Sequence, residues 1–179
     1  MKPNLKREGM TERELGENEI QDIFTIGSNG KKISEFIEIL KKAGIVTVLD
    51  IRKSARSFFV SEFSEKSLSV ELPKIGINYI HKTEFGVPSD IVKRYTKKET
   101  VKGNGPLTDI NFEVYYRNRI SNECDIDKLT KEIKSYGKTV LLCACAYAVK
   151  QGKQKYNCHR SILANILFKN TDFKEIIHL

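Results

Sequence analysis

The stretch that decides the fold is Ile45-Val46-Thr47-Val48-Leu49. It is continuously apolar or β-branched, a composition typical of a strand buried on both faces of a parallel sheet. A second β-prone run, Ile23-Phe24-Thr25-Ile26, precedes it and ends at Gly27. Between the two runs, the apolar residues of 33–40 recur at the spacing of one helix face. Strand, helix and strand within about 30 residues predict a right-handed βαβ unit.

The same alternation continues towards the end of the chain. Apolar patterning predicts helices at 64–74, at 111–119, after Asp125 or Asp127, and from Cys158 onward, and strands at 78–80, 139–142 and 173–178. Alternating strands and helices predict an α/β fold of three layers, a mostly parallel sheet with helices on both faces in a Rossmann-like arrangement. We assign residues 21–179 to this single domain, and the charged residues 1–20 to an N-terminal tail or peripheral helix.

Composition bounds the class of protein. The chain has 179 residues, of which 40% are hydrophobic, enough for one sizeable core. No stretch approaches the roughly 20 apolar residues of a membrane helix, and the polar N-terminus is unlike a secretory signal, so we expect a cytoplasmic protein. In that reducing compartment its four cysteines would serve as core residues, metal ligands or nucleophiles. The net charge of +8 permits binding to nucleic acid but does not require it.

The ends of the predicted strands define the region in which to look for a site. In open parallel sheets, ligands bind in the crevice at the carboxyl ends of the strands. The segments expected to meet there are Gly27-Ser28-Asn29-Gly30, 50–56, 82–86 and 143–145. We therefore expect residues that are distant in sequence to gather at one edge of the sheet.

The tetrapeptide Cys158-His159-Arg160-Ser161 lies where a loop becomes the last helix. A thiol at a helix N-terminus lies at the positive end of the helix dipole, and His159 and Arg160 add positive charge, so the reactive thiolate is favoured. The same features suit an anion such as phosphate. The alternative is a structural one, in which Cys158 is a small buried residue and His159 a capping group.

Cys143 and Cys145 are two residues apart at a strand end, and in extended backbone they point to the same face. Together with Cys158 and His159 they would supply four soft ligands, a set that suits tetrahedral zinc. The Cys-x-Cys spacing departs from the usual zinc knuckle. A reversible Cys143–Cys158 disulfide is a further alternative.

Asp50 and Arg52 end the buried strand and point to the same side. Asp50 could act as a general base, and Arg52 together with Arg56 could clamp a phosphate bidentately. The aromatic residues that follow, Phe58, Phe59 and Phe63, could stack on a base. The structural alternative is an Asp50–Arg52 ion pair that shapes the loop.

Three weaker candidates complete the crevice. Gly27 and Ser28 link a strand to a helix, where backbone N–H groups could meet a phosphate, although the pattern is not a dinucleotide-binding or Walker motif. Glu84 follows the third strand as a candidate acid or base. Tyr115 or Tyr116 could reach the crevice with its hydroxyl, although helix packing is the alternative role.

Six short motifs follow one another along the chain. They are Thr25-Ile26-Gly27, Leu49-Asp50-Ile51-Arg52, Glu62-Phe63, Glu84-Phe85-Gly86, Leu141-Leu142-Cys143-Ala144 and Cys158-His159-Arg160. In this order they resemble the domain of unknown function 488 family from about Ile23 to Phe168. The resemblance implies an α/β fold and a shared site, and it supplies no activity. Two positions depart from the family pattern: Ser28 stands where the family often has His, and Cys145 is not a usual feature.

The leading hypothesis is an enzyme that acts on a nucleotide, a nucleoside or another phosphate-bearing substrate. Arg52 and Arg160 would hold the anion, and Asp50 or Glu84 would perform acid–base work. Cys158 or Cys143 would be the nucleophile or redox thiol. The alternatives are a non-catalytic module that binds nucleic acid or a nucleotide, and a domain with a structural metal site, for which zinc is the candidate. No membrane partner is expected, and the sequence does not predict the oligomeric state.

Overall fold

A parallel sheet organises the residues that the computed structural model describes, which are 21–55, 61–91, 100–101, 105–106, 109–145 and 158–179. The strands are β1 (Ile23–Gly27), β2 (Thr47–Asp50), β3 (Asn78–His81), β4 (Thr100–Val101), β5 (Gly105–Pro106), β6 (Thr139–Cys143) and β7 (Ile176–His178). Within the described chain, five of them form one all-parallel sheet in the order β3-β2-β6-β1-β7. Strands β4 and β5 pair separately as a short antiparallel ladder.

The helices alternate with these strands along the chain. They are α1 (Ile33–Lys42), α2 (Glu65–Lys74), α3 (Asp109–Glu123), α4 (Ile126–Ser135) and α5 (His159–Asn170). Short 3-10 helices at Ser61–Phe63 and Thr83–Phe85 complete the connections. Among the helices of the described ranges, none has both the length and the apolar character needed to cross a membrane.

The βαβ unit predicted from the sequence is present as β1, α1 and β2. Helix α1 buries Phe36 and Leu40 against the sheet, and Gly44 follows it with a φ of 65°, a conformation that favours glycine. Strand β2 begins at Thr47 rather than at Ile45, because the chain is still leaving the helix and Val46 is 42% exposed.

Side chains alternate between the two faces of the sheet and so build two cores. Val48 and Leu142 belong to the core that α1 and α2 cover. Leu49 and Cys143 belong to the core that α3, α4 and α5 cover. The three-layer α/β architecture is therefore confirmed, with the sheet wholly parallel. One consequence is that the Cys143 side chain faces the same core as helix α5.

Helix ends and lengths match the sequence patterns in most places. Ser64 and Asp125 cap α2 and α4 by accepting hydrogen bonds from the backbone N–H groups of Ser67 and Lys128. Helix α3 is longer than the predicted 111–119, since it begins at Asp109 and continues past the buried Ile120 to Glu123. The predicted tail at 1–20 lies outside the described residues, as do residues 146–157 and the candidates Arg56, Phe58 and Phe59.

A buried ion pair fixes the chain where it leaves β2. Asp50 is fully buried and Arg52 is nearly so. The Arg52 guanidinium donates to both Asp50 carboxylate oxygens, at 2.5 to 3.0 Å, and to the Phe63 carbonyl at 2.9 Å. The Tyr79 hydroxyl also donates to Asp50, at 2.6 Å. These contacts tie β2 to β3 and to the turn that precedes α2.

This ion pair makes a prediction for stability. Replacing the arginine (Arg52→Ala) leaves the Asp50 carboxylate buried without its cation, and we expect a loss of about 3–5 kcal/mol in the free energy of unfolding, measured by urea denaturation. The double variant Asp50→Ala/Arg52→Ala should lose less than the sum of the two single changes, because no unpaired charge remains.

Arg117→Ala is the matched control, since Arg117 forms a partly exposed i,i+4 pair with Glu113 on α3. It should cost about 0.5 kcal/mol or less. Additive losses in the double variant, or equal losses for Arg52→Ala and Arg117→Ala, would contradict the assignment of Asp50 and Arg52 as a coupled buried pair.

Candidate functional site

The carboxyl ends of the central strands meet around β6. Gly27 at the end of β1 lies in register with Cys143 at the end of β6, and Asp50 at the end of β2 lies in register with Leu142. The backbone N–H groups of Ser28 and Asn29 continue this contact by donating to the carbonyls of Cys143 and Ala144, at 3.0 and 3.1 Å. Segments distant in sequence thus share one edge of the sheet.

Two buried thiols form the centre of this edge. Cys143 ends β6 and is fully buried, while Cys158 is the N-cap residue of α5 and is 5% exposed. Their Sγ atoms lie 3.2 Å apart. The backbone N–H of Cys145 donates to the Cys143 sulfur at 3.3 Å, and the Cys145 side chain itself is exposed. The Cys143 sulfur therefore receives hydrogen bonds from its surroundings, an environment suited to a charged sulfur.

Arg160 places a buried cation against the Cys143 sulfur. Its side chain is 2% exposed, and its Nη1 atom lies 3.1 Å from the Cys143 Sγ and 2.9 Å from the Cys145 carbonyl oxygen. Within the described ranges, no carboxylate forms a salt bridge with Arg160. A buried guanidinium needs a negative partner, and the sulfur of Cys143 is the group in contact that can supply one.

The three thiols of the cluster divide into one acidic and two weakly acidic groups. Burial opposes ionisation of Cys143, but hydrogen bonds from Cys145 and Cys158 and the positive charge of Arg160 outweigh it, so the pKa of Cys143 falls well below its usual range. The hydrogen bond to Cys143 raises the pKa of Cys158 well above its ordinary value and raises the pKa of Cys145 to about 12. The cluster therefore favours the thiolate at Cys143 and the neutral thiol at Cys158.

His159 lies between this cluster and helix α3. Its Nδ1 atom is 3.9 Å from the Cys158 sulfur, and its ring meets the ring of Tyr116 edge-on, with 5.8 Å between centroids. Burial lowers the pKa of His159, so its ring is neutral at neutral pH. Tyr116 is itself fully buried and donates from its hydroxyl to the Phe85 carbonyl at 2.6 Å. The sequence candidate Tyr116 therefore contacts the site through His159, with its ring.

Polar groups without partners cluster in the first turn of α5. Across the described part of the chain, four buried side-chain polar atoms lack a hydrogen-bond partner: Asp22 Oδ1, His159 Nε2, Arg160 Nε and Ser161 Oγ. Three of the four belong to consecutive residues at this one helix end. Each such group costs about 1–3 kcal/mol when left unpaired, and a bound ligand is a physical reason for a protein to retain them.

Gly27 is needed because the backbone of Cys145 and the head group of Arg160 crowd against it. A Cβ atom at this position would lie 1.7 Å from the Cys145 carbonyl oxygen and 2.4 Å from Arg160 Nη1. Ser28 follows it and is nearly buried, with its Oγ 3.5 Å from the Cys143 carbonyl oxygen. Both residues predicted from the strand–helix link therefore lie against the thiol cluster.

The carboxylates and Arg52 have other partners. Asp50 and Arg52 hold one another, as in the structural alternative considered from the sequence, and Tyr79 completes their hydrogen bonds. Glu84 is half exposed and faces Lys82 at 3.6 Å. The structure thus gathers Gly27, Ser28, Tyr116, Cys143, Cys145, Cys158, His159 and Arg160, and it places Asp50, Arg52 and Glu84 in separate ion pairs.

Sequence reasoning missed Ser161 as an unpaired polar group, and it missed Arg119. Arg119 donates to the carbonyls of Gly86 and Glu84 at 2.7 and 2.6 Å, and so fastens the segment after β3 to α3. Gly86 packs so closely on this side that a Cβ there would lie 2.0 Å from the backbone nitrogen of Lys53. The Glu84-Phe85-Gly86 motif marked this segment in the sequence, but no sequence pattern indicated that Arg119 would bind its carbonyl groups.

Four soft ligand atoms could hold a metal ion. The sulfurs of Cys143, Cys145 and Cys158 and a ring nitrogen of His159 all lie within 4.8 Å of one another. This donor set suits zinc chemically. The separation of 3.2 Å between the Cys143 and Cys158 sulfurs is shorter than the roughly 3.8 Å between two thiolates of a tetrahedral zinc site, so the thiols would have to move apart to bind zinc.

Comparison with known families gives one finding. A family model described as Domain of unknown function DUF488 matches residues 32–167. The match covers more than half of the chain and includes the thiol pair and Arg160. No curated protein and no solved structure matches the chain.

The close approach at Gly27 is testable by paired glycine substitutions. Gly27→Ala forces the Cys145 carbonyl and Arg160 to move, and we expect it to lower the free energy of unfolding by about 3 kcal/mol or more. Gly30 has a φ of 80° but no atom within 4 Å of an added Cβ, so Gly30→Ala should cost only about 1–2 kcal/mol of backbone strain. Equal losses in urea denaturation would contradict the close approach at Gly27.

The thiolate makes a prediction for pH dependence. Because the folded-state pKa of Cys143 is lowered, its charge should persist at neutral pH and disappear on acidification. The stabilisation from this charge is complete above the pKa of an unfolded cysteine, about 8.5, and is lost as the pH falls through the folded value. Ultraviolet thiolate absorbance should show one thiolate per chain at neutral pH.

The controls are single substitutions. Cys143→Ser should remove the signal, whereas Cys124→Ser, at a thiol outside the cluster, should leave it unchanged. Arg160→Met should shift the transition to higher pH, because the neighbouring positive charge is lost. A thiolate signal that survives Cys143→Ser would refute the assignment to this residue.

Proposed function

Since the chain belongs to the family Domain of unknown function DUF488, whose name carries no activity, we propose its function from its site. The protein is an enzyme that acts on a phosphate-bearing substrate, such as a nucleotide, with Cys143 as the nucleophilic thiolate. The observation that supports this most is the first turn of α5, where His159, Arg160 and Ser161 hold buried polar atoms without hydrogen-bond partners and Arg160 contacts that sulfur.

The anion would bind where α5 begins. The N-terminus of this 12-residue helix carries the positive end of the helix dipole. Cys158 provides no side-chain cap, and the first intrahelical hydrogen bonds are donated by Ser161 and Ile162. The backbone N–H groups just before them point out of the helix end, as in other anion sites at helix N-termini. Arg160 Nε and Ser161 Oγ add side-chain donors at the same place.

The chemistry follows from the charge states of the cluster. Cys143 attacks the substrate through its sulfur, held by the guanidinium of Arg160 at 3.1 Å. The neutral thiol of Cys158, at 3.2 Å, is placed to protonate the leaving group. Water then cleaves the bond between Cys143 and the substrate, and the neutral ring of His159 can pass the water proton back to Cys158. Cys158 and His159 would transfer the protons in this reaction. Asp50 and Glu84 would not, because their carboxylates are engaged in ion pairs.

Binding measurements with inorganic phosphate and with nucleoside mono-, di- and triphosphates test this function. We expect calorimetric binding of at least one of these compounds, and a roughly 10- to 100-fold weaker affinity in Arg160→Met, because a charge-assisted hydrogen bond is lost. Arg117→Met removes a surface arginine of α3 and should leave the affinity unchanged.

Two further variants separate binding from chemistry and from folding. Cys143→Ser should retain binding and abolish turnover of the bound compound. Ser161→Ala removes an unpaired buried hydroxyl, so it should raise the free energy of unfolding without ligand while weakening phosphate binding. The proposal fails if no phosphate compound binds. It also fails if binding is indifferent to Arg160 and falls steeply with salt, which is the behaviour of a non-specific nucleic-acid-binding module.

A further inference from the structure

We propose that Cys143 and Cys158 form a reversible disulfide by exchange with a low-molecular-weight disulfide, and that this oxidation frees Arg160 to bind the anionic substrate more tightly. The inference rests on the proposed function, since it concerns the regulation of the same site. It assigns a redox role to the second thiol, in addition to its role as a proton donor.

The geometry of the two thiols favours a bond between them. Their sulfurs lie 3.2 Å apart and in direct contact, and a disulfide needs about 2.05 Å, so the two atoms must approach by roughly 1.2 Å. Cys158 precedes the first turn of α5, where the chain is extended rather than helical. Cys143 is held in a central strand of the sheet, so the approach falls to Cys158, which lies before the helical hydrogen bonds of α5.

The exchange reaction needs only the two protein thiols and the small disulfide. The Cys143 thiolate attacks one sulfur of a small disulfide RSSR, which forms a Cys143–S–SR mixed disulfide and releases RS⁻. The Cys158 thiol then loses its proton and attacks the Cys143 sulfur, which forms the Cys143–Cys158 bond and releases the second R group as RSH. Two electrons pass from the protein thiols to RSSR, and the reverse reaction with RSH restores the reduced site.

Oxidation changes the charge next to Arg160. In the reduced protein the guanidinium has the Cys143 sulfur as its negative neighbour, 3.1 Å away. In the disulfide that sulfur is neutral, and no carboxylate of the described residues forms a salt bridge with Arg160 to replace it. A buried and unpaired cation is unfavourable. An anion bound at the start of α5 would relieve this cost, so the oxidised protein should bind phosphate more tightly.

Oxidation of the thiols and binding of phosphate are linked equilibria, so their coupling can be measured from either one. If oxidation tightens phosphate binding by a given factor, then phosphate must favour the disulfide by the same factor. We expect a factor of roughly 10 or more, within the usual range for coupled sites. The opposite outcome, weaker binding after oxidation, would mean that the disulfide closes the site instead of freeing the arginine.

The experiment uses the full chain equilibrated in glutathione buffers of different reduced-to-oxidised ratios, with inorganic phosphate as the probe. Mass spectrometry of the blocked and digested protein should identify the Cys143–Cys158 bond, and calorimetry should show a lower Kd for phosphate in the oxidised protein. Saturating phosphate should shift the glutathione ratio at half-oxidation by the same factor. Cys124→Ser, at a thiol outside the cluster, should change neither result.

Other outcomes overturn the inference in distinguishable ways. If phosphate binds but no Cys143–Cys158 bond forms at any ratio, the redox inference fails and the proposed function stands. If the bond forms and the Kd does not change, the coupling to Arg160 fails. If phosphate binds in neither state, the proposed function and the coupling both fail. Persistence of the disulfide after Cys158→Ser would assign the bond to Cys145.

A metal measurement supplies the remaining decisive outcome. Protein purified without chelator should contain no stoichiometric zinc, and its thiols should be oxidisable as isolated. One zinc per chain, with oxidation of Cys143 and Cys158 blocked until the metal is removed, would overturn the dithiol assignment. It would indicate instead that the four clustered soft ligands hold a metal.

Discussion

The contact between the guanidinium of Arg160 and the sulfur of Cys143 is the interaction on which the site depends. A cation with almost no exposure to solvent has to be compensated inside the protein, and a sulfur at 3.1 Å can do so as a thiolate. The contact also explains local features that otherwise look unrelated. Gly27 has no side chain because the backbone of Cys145 and the Arg160 head group lie against it. The neutral Cys158 thiol lies beside the charged sulfur because a second thiolate there would be repelled.

A second ion pair, between Asp50 and Arg52, stabilises the chain at the end of the neighbouring strand β2. Asp50 and Arg52 lie on the same edge of the sheet, yet their charges neutralise one another and Tyr79 completes the set of hydrogen bonds. The two arginines at this edge of the sheet, Arg52 and Arg160, therefore differ in the partners of their guanidinium groups. Arg52 has a carboxylate partner and holds the chain in place, whereas Arg160 contacts the Cys143 sulfur and the Cys145 carbonyl and retains an unpaired Nε. This difference is the reason to place the chemistry at β6 and α5 rather than at β2.

Much of the fold could be predicted from the sequence, because its signals are local. The apolar run ending at Leu49 and the helix spacing of 33–40 each act over a few residues, and the parallel sheet follows from their alternation. The thiol and arginine positions were also predictable from their places at strand and helix ends. What could not be predicted was which charge pairs with which. The sequence left Asp50 and Arg52 open between a catalytic role and an ion pair, and only distances in three dimensions decide between the two. Tyr79 and Arg119 were missed for the same reason, since their contacts join segments that no pattern links.

The strand order has a consequence for how the site comes into being. Strand β1 pairs only with β6 and β7 among the described strands, and the Ser28–Cys143 contact spans 115 residues of chain. During synthesis β1 must therefore wait until the segment that holds β6 and β7 has been made before it can find its neighbours, and such long-range pairing is slow. The acidic sulfur and its guanidinium meet only once the C-terminal helix has docked. A chain without this helix would carry ordinary cysteines, so the lowered pKa of the thiol is itself a sign that the helix has docked.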